Sequence, residues 1–376
     1  RRRSAMLTLI RDGQLLTPAP AGVQSVLLVG ERIAHVGPVD EARLTSLEVP
    51  CEVVDARGCL VLPGLVDPHE HLIGAGGEKG FGSRMHEVTL EQLLLAGVTT
   101  VVGCLGTDSS TRHLGALVGK ARQLTEGGVS AFLYTGGFHL PPRTLTGSIR
   151  DDLVLIDCVI GVGELAIADA RSSQPSVAEL ARVVADTMVG GTLSGKAGVT
   201  HFHTGPGRAR MSQLHQLLDE YEVRPECLYA THANRTEALL DDAISLSHRG
   251  AYVDMDTVDP GLGPWIRYYL EHGGVPERLT VSSDAHTAGA HPGRLHEELV
   301  ASVREHGLAL ETLLPFFTAN PAAALKLRQK GRIAPGLDGD LVLLDAGTLD
   351  IVHVFSKGRR RVGDRELLIA PEGRGV

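Results

Sequence analysis

The sequence predicts an α/β protein, a (β/α)8 barrel of the TIM type with a small β-sandwich domain formed by both chain termini. Three features carry this prediction. Eight short apolar runs recur between residues 60 and 282, most of them separated by segments of helical period. Several of these runs end in histidine, aspartate or glutamate, and barrel enzymes place their chemistry at the C-terminal ends of their strands. The two ends of the chain follow a different pattern, short strands between Gly-bounded turns with no long helical period.

Residues 6–54 set the first pattern, as in Ser25-Val26-Leu27-Leu28-Val29-Gly30, then Glu31-Arg32, then Ile33-Ala34-His35-Val36-Gly37, and predict part of a small antiparallel sheet. The eight runs are 60–66, 98–105, 130–135, 159–166, 199–203, 227–231, 251–255 and 279–282. Eight alternations favour the barrel over its alternative, a doubly wound open sheet. Between the runs, residues 89–96 put Leu90, Leu93 and Leu94 on one face, with Gly97 to stop a helix. Ser176-Val177-Ala178-Glu179 forms a capping-box pattern ahead of Leu180, Val183 and Val184. Residues 236–248 carry Leu240, Ala243 and Ile244 on one face and stop at Gly250. After a final helix at Asn320-Pro321-Ala322-Ala323-Ala324-Leu325, strand patterning returns at 331–336, 340–344 and 351–355. The expected organisation is a small β domain from residues 1–60 and 330–368, the barrel from 61–329, and a tail at 369–376.

Composition narrows the function. The chain of 376 residues has 36 Lys and Arg against 45 Asp and Glu, a formal charge of -9 with only short basic clusters at Arg1-Arg2-Arg3 and Lys357-Gly358-Arg359-Arg360-Arg361. A net acidic chain without a long basic stripe argues against nucleic acid as the main partner. Cys51, Cys59, Cys104, Cys158 and Cys227 are scattered and odd in number, with no Cys-x-x-Cys, which predicts free thiols in a reducing compartment. With neither a signal-peptide stretch nor a run of about 18 apolar residues, the expectation is a cytoplasmic protein without a membrane partner.

The chemistry gathers at the strand ends. His69-Glu70-His71 follows the first run, and residues two apart on a strand face one side, so His69 and His71 can share an ion while Glu70 points away. The fourth run carries Glu164, the fifth ends in His201-Phe202-His203, the sixth in Thr231-His232-Ala233-Asn234, and the eighth in Ser282-Ser283-Asp284-Ala285-His286. Histidines and carboxylates converging on one barrel mouth fit a two-zinc hydrolase. In that arrangement His69, His71 and Asp284 hold one divalent ion, His203 and His232 the other, and Glu164 bridges both. The ions would lower the pKa of a shared water towards neutrality, and Asp284 would take its proton and pass it to the leaving nitrogen. Each residue also has a plainer reading. Glu164 can be an interior carboxylate paired with a base; His201 is expected one layer deeper and hydrogen-bonded, with its role exchangeable with His203; His286, His139 and His86 fit loop positions better than ligand positions.

These residues resemble the amidohydrolase superfamily, and within it the bacterial isoaspartyl dipeptidases. The similarity runs over residues 62–344 and includes His69-Glu70-His71-Leu72-Ile73-Gly74, Gly76-Gly77-Glu78, residues 103–108, 144–148 and 166–172, Thr231-His232-Ala233-Asn234-Arg235, and Pro335-Gly336 with Gly339-Asp340-Leu341. The resemblance implies that Glu78 receives the substrate's α-amino group, that Thr107, with backbone near Gly76, binds the isoaspartyl end, and that Arg171 and Arg235 clamp carboxylate, a task suited to a planar guanidinium fork. Without the resemblance these residues read as surface ion pairs. The sequence departs from the family at three places. Glu164, with an apparent extra residue at Gly163, stands where the family bridges its zincs with a carboxylated lysine. Phe138 replaces a tyrosine that polarises the scissile carbonyl, with His139 and His286 as candidate substitutes. Ala288, beside Thr287, replaces a serine.

The sequence therefore predicts a zinc-dependent amidohydrolase cleaving the amide bond of isoaspartyl (β-aspartyl) dipeptides or a closely similar small acidic amide. The alternatives are an amidohydrolase acting on another substrate, a cyclic amide hydrolase or deaminase, and a non-catalytic homologue that binds metal and ligand. Retention of Asp284 argues against the last, and the resemblance implies a homo-oligomer.

Overall fold

The first apolar run feeds two strands rather than the single one expected. In the computed structural model, which describes residues 7–46, 48–286 and 289–368, Cys59–Pro63 belongs to a sheet built from both ends of the chain, and Leu65–Glu70 opens the barrel. Gly64 makes the crossing, and a Cβ there would lie within 3 Å of three atoms of the Thr99 side chain. The Arg1-Arg2-Arg3 cluster, Thr287 and Ala288, and the expected tail at 369–376 lie outside the described residues.

The terminal sheet runs in the order Glu366–Leu367, Arg359–Gly363, Ile351–Ser356, Leu341–Asp345, Cys59–Pro63, Leu7–Leu16, Pro20–Val29, Arg32–Gly37. Cys59–Pro63 is its seam, antiparallel to Leu341–Asp345 and parallel to Leu7–Leu16, so the sheet is mixed rather than wholly antiparallel. Cys51–Asp55 also pairs with Leu7–Leu16 in parallel. Ile10, Leu15, Val26, Leu28, Val61, Leu341, Leu343 and Phe355 pack a core of its own.

The barrel strands are β1 (Leu65–Glu70), β2 (Val98–Gly103), β3 (Ser130–Thr135), β4 (Val159–Ile167), β5 (Val199–Thr204), β6 (Leu228–Thr231), β7 (Tyr252–Asp256) and β8 (Leu279–Ser282), each hydrogen-bonded in parallel to the next. Just beyond β8 the chain turns back onto β1, where Asp284 N donates to His69 O at 3.0 Å and Ser283 N to Asp67 Oδ1 at 3.1 Å. Several of the helices begin at side-chain caps. Thr89 and Gln92 cap Leu90–Leu95 reciprocally, Ser176 and Glu179 do the same for Val177–Ser194, and Thr236 caps Glu237–His248. Leu93, Leu117, Leu124, Leu180, Val184 and Leu240 bury their side chains between helices and strands, each contributing roughly 1.5–3 kcal/mol.

The barrel interior beneath the site is polar and aromatic. Asp254 accepts from Thr231 Oγ1, Thr280 Oγ1 and Ser282 Oγ at 2.6–2.7 Å, and Tyr134 OH donates to Pro68 O at 3.0 Å. His201 lies in this floor, stacked on Tyr134 with ring centroids 5.0 Å apart. Both of its nitrogens are buried without a hydrogen-bond partner, which differs from the hydrogen-bonded role expected of it. Burial holds its pKa well below the ordinary imidazole value, so the ring is a neutral packing element.

Candidate active site

Two irregular strands present the central groups. In β1 the register passes from Asp67↔Val101 to Glu70↔Gly103, an extra residue at Pro68, which has no N–H to give to a ladder. In β4 it passes from Val162↔Thr200 to Leu165↔Phe202, so three residues span what two span on β5. Gly163 allows this bulge, because a Cβ there would sit 2.7 Å from His201 O and 2.8 Å from His201 Cβ. The bulge turns Glu164 into the barrel mouth, 96% buried.

Around that carboxylate stand four imidazoles. His69 Nε2 and His71 Nε2 lie 3.6 and 3.5 Å from its oxygens, His203 Nδ1 3.1 Å and His232 Nε2 3.6 Å. Asp284 Oδ1 is 3.5 Å from His69 Nε2 and 3.2 Å from His71 Nε2. His232 and Asp284 both have left-handed backbone, with φ of 69° and 44°, a conformation found at functional strand ends more often than elsewhere. Glu70 points away as expected, accepting from Ser283 Oγ at 2.7 Å.

The far nitrogens of two of these rings fix their tautomers. His232 Nδ1 donates to Asp256 Oδ2 at 2.7 Å and His203 Nε2 to Asp169 Oδ2 at 3.1 Å. Each ring is left with a lone pair on its inner nitrogen, and those nitrogens, His203 Nδ1 and His232 Nε2, face each other at 2.9 Å with Glu164 Oε2 beside them. Three acceptor atoms at such distances repel one another unless a proton or a metal cation lies between them. His69 is fully buried with neither ring nitrogen hydrogen-bonded. Both features fit a metal ion, and these residues form buried groups able to hold one: Glu164 with His203 and His232, and Glu164 with His69, His71 and Cys104.

The electrostatics agree. Burial pushes the Glu164 carboxyl up, but the charge of His69 and the imidazoles of His203 and His232 hold it well below the usual carboxylate range. Burial likewise raises Asp284, and His286 and His69 outweigh it, so it too is held well below that range. Two buried carboxylates held ionised among four imidazoles form a donor set that could hold a cation.

Above these groups opens a small cleft lined by Ala75, Glu78, Gly106, Thr107, Phe138, Arg171, Arg235 and His286. Of the residues assigned to substrate it brings together Glu78, Thr107, Phe138, Arg171 and Arg235, Gly76 joins Glu78 and Thr107 in an adjoining cleft, and Ala288 lies outside the described residues. Arg171 Nη1 lies 3.9 Å from Glu78 Oε1. Phe138 is a buried wall, its ring 4.6 Å from that of His203 and 5.2 Å from the Arg171 guanidinium carbon. His139 is committed elsewhere, with Nε2 3.0 Å from Arg171 O. His286 lines the cleft and holds Asp284 Oδ1 at 3.2 Å. Three members of the site had no site role in the sequence reading, Asp169, Asp256 and Cys104. Asp256 could have been found as the last residue of β7, at the functional end of the barrel.

The groups at this barrel mouth could hold a metal ion, and the chain belongs to the amidohydrolase family, whose model matches residues 266–361. Among solved structures it is similar to the β-aspartyl dipeptidase of Fervidobacterium islandicum AW-1, at 39% identity and a TM-score of 0.93, covering 97% of this chain and 99% of that one. The same dipeptidase in complex with β-Asp-Leu matches at 37% identity and a TM-score of 0.92, covering 98% and 99%. Among curated proteins, imidazolonepropionase of Streptomyces griseus is 25% identical over 89% of this chain and 90% of its own length. Among the described residues, no helix is long and apolar enough to cross a membrane.

Proposed function

We propose that this amidohydrolase is zinc-dependent and hydrolyses the amide bond of β-aspartyl dipeptides or a closely similar small acidic amide. The observation that carries the reading is the pairing of charges on one rim. Glu78 and the guanidinium groups of Arg171 and Arg235 line a single small cleft directly above Glu164 and Asp284. A short zwitterion with an extra carboxylate matches that pattern, its ammonium on Glu78 and its carboxylates on the arginines, with Thr107 and the loop at Gly76 against the isoaspartyl end. The likeness to the β-aspartyl dipeptidase over nearly the whole of both chains supports it.

His69, His71 and Asp284 would hold one ion and His203 and His232 the other, with Glu164 between them. When bound, two divalent cations supply Lewis acidity to the amide carbonyl and acidify water. The protein's own groups do the rest. Asp284, kept ionised, takes the proton of the attacking water and delivers it to the leaving nitrogen. With a phenyl wall at Phe138 and His139 engaged by a carbonyl, His286 is the donor left to face a developing oxyanion.

A second reading is a cyclic amide hydrolase, favoured by curated relatives bearing the name imidazolonepropionase. Purified, zinc-loaded protein offered β-aspartyl-leucine and, separately, imidazolonepropionate separates the two, with metal per chain measured on the same preparation. Turnover of the dipeptide alone is expected; turnover of the ring alone would replace the first reading with the second.

A further inference from the structure

Asp169 sits where the metal-binding groups meet the substrate rim. Its side chain is only 9% exposed, and both oxygens are engaged. Oδ1 accepts from Arg171 N at 2.8 Å and Arg171 Nε at 3.1 Å. Oδ2 accepts from Arg171 Nη2 at 2.8 Å and from His203 Nε2 at 3.1 Å. The Nε–Nη2 edge of the guanidinium is therefore spent on Asp169, and Nη1 is the arm left toward Glu78 and the cleft.

The backbone around this carboxylate is fixed from both sides. Asp169 O accepts from Gln174 Nε2 at 2.9 Å and from Ser172 N at 3.0 Å. Across the gap Gly207 N donates to Ala168 O at 2.8 Å, and a Cβ on Gly207 would sit 2.2 Å from that oxygen. A rigid turn thus holds one carboxylate at a set place between an imidazole and a guanidinium.

We propose that Asp169 is a positioning residue that joins the two halves of the site, setting the tautomer of His203 and, with the same carboxylate, the arm that Arg171 presents to substrate. The inference rests on the reading of His203 as a ligand and Arg171 as a substrate clamp. Without the carboxylate, His203 loses the acceptor that keeps its proton on Nε2, and Arg171 regains rotational freedom. A purely structural Arg–Asp pair would support neither function.

The test uses the full-length, zinc-loaded protein and its D169N, D169E and R171A variants, with two readouts. The first is the rate of zinc transfer to a chromophoric chelator; the second is the separation of KM from kcat for β-aspartyl-leucine. D169N should release zinc about 10-fold or more faster and raise KM by a similar factor, as expected for loss of a partner behind a ligand. R171A should raise KM with a release rate within about twofold of the parent. D169E, which keeps the charge, should recover part of both properties. A D169N protein in which only one property changes, or neither, overturns the joining role. If the parent does not hydrolyse β-aspartyl-leucine, the functional reading fails by itself, and an unchanged zinc-release rate in D169N would still overturn this inference.

Discussion

Replacing Asp256 with Asn changes one atom of the site and leaves its shape intact. Asp256 Oδ2 lies 2.7 Å from His232 Nδ1, and Oδ1 accepts from Val258 N at 3.1 Å. Aspartate serves both donors, whereas asparagine has a single acceptor oxygen. If that oxygen faces His232, the amide NH2 meets the Val258 N–H and two donors oppose each other, at about 1–3 kcal/mol of stability. If the amide is flipped, its NH2 faces Nδ1, the ring proton moves to Nε2, and the lone pair directed at Glu164 and His203 is lost. The first arrangement keeps the ligand but loosens its support, and the second removes it. Both should weaken zinc binding by about 10–100-fold, or roughly 1.4–2.7 kcal/mol. Zinc affinity by chelator competition, alongside thermal unfolding of the metal-free protein, separates them, because the first arrangement lowers the metal-free melting temperature and the second need not. A D256N protein with zinc affinity within twofold of the parent and an unchanged melting temperature would refute the tautomer argument.

Asp284→Asn should keep the fold and lose turnover by several orders of magnitude in kcat; near-normal activity would remove it as the base. Glu164→Ala deletes a carboxylate 3.1 Å from His203 Nδ1 and should lower bound zinc per chain, measured by elemental analysis, whereas full occupancy would dismiss the bridge. Burial pushes Asp254 up to about 7, against the hydrogen bonds from Ser282, Thr280 and Thr231. The folded protein therefore holds this proton more tightly than the unfolded chain, whose aspartate titrates near 3.8. The corresponding stability, roughly 4 kcal/mol for about three units, is complete below pH ~4 and lost as pH rises through ~7. In Asp254→Asn that loss is absent, so the melting temperature of the variant relative to the parent should climb between pH 5 and pH 8; a constant difference would refute the assignment.

What the sequence made legible follows from where information is local. The eight strands showed through because each is a short apolar run ended by a turn, and the helix starts at Thr89, Ser176 and Thr236 because a cap is a property of four neighbouring residues. The split at Gly64 did not, since only pairing with Leu341–Asp345, far along the chain, tells Cys59–Pro63 from the barrel strand that follows it. Asp169 and Asp256 were missed for a similar reason, because an acid becomes a partner for histidine only once the fold places it behind the ring. The bulge at Gly163 joins both kinds of information. An extra residue was visible in the sequence, and alone it suggested only an insertion. On the strand it becomes a three-against-two register with β5, which bends β4 and turns Glu164 inward. A glutamate carboxylate stands several bonds closer to its backbone than the carboxylated lysine that the family resemblance places there. For the shorter side chain to reach the same four imidazoles, the backbone itself has to come nearer, and an inserted glycine, free of a Cβ against His201, is the residue that allows it. Replacing Glu164 with Lys while leaving Gly163 in place should therefore not rebuild a lysine-bridged site, and a full complement of zinc in that variant, measured by elemental analysis, would refute the argument.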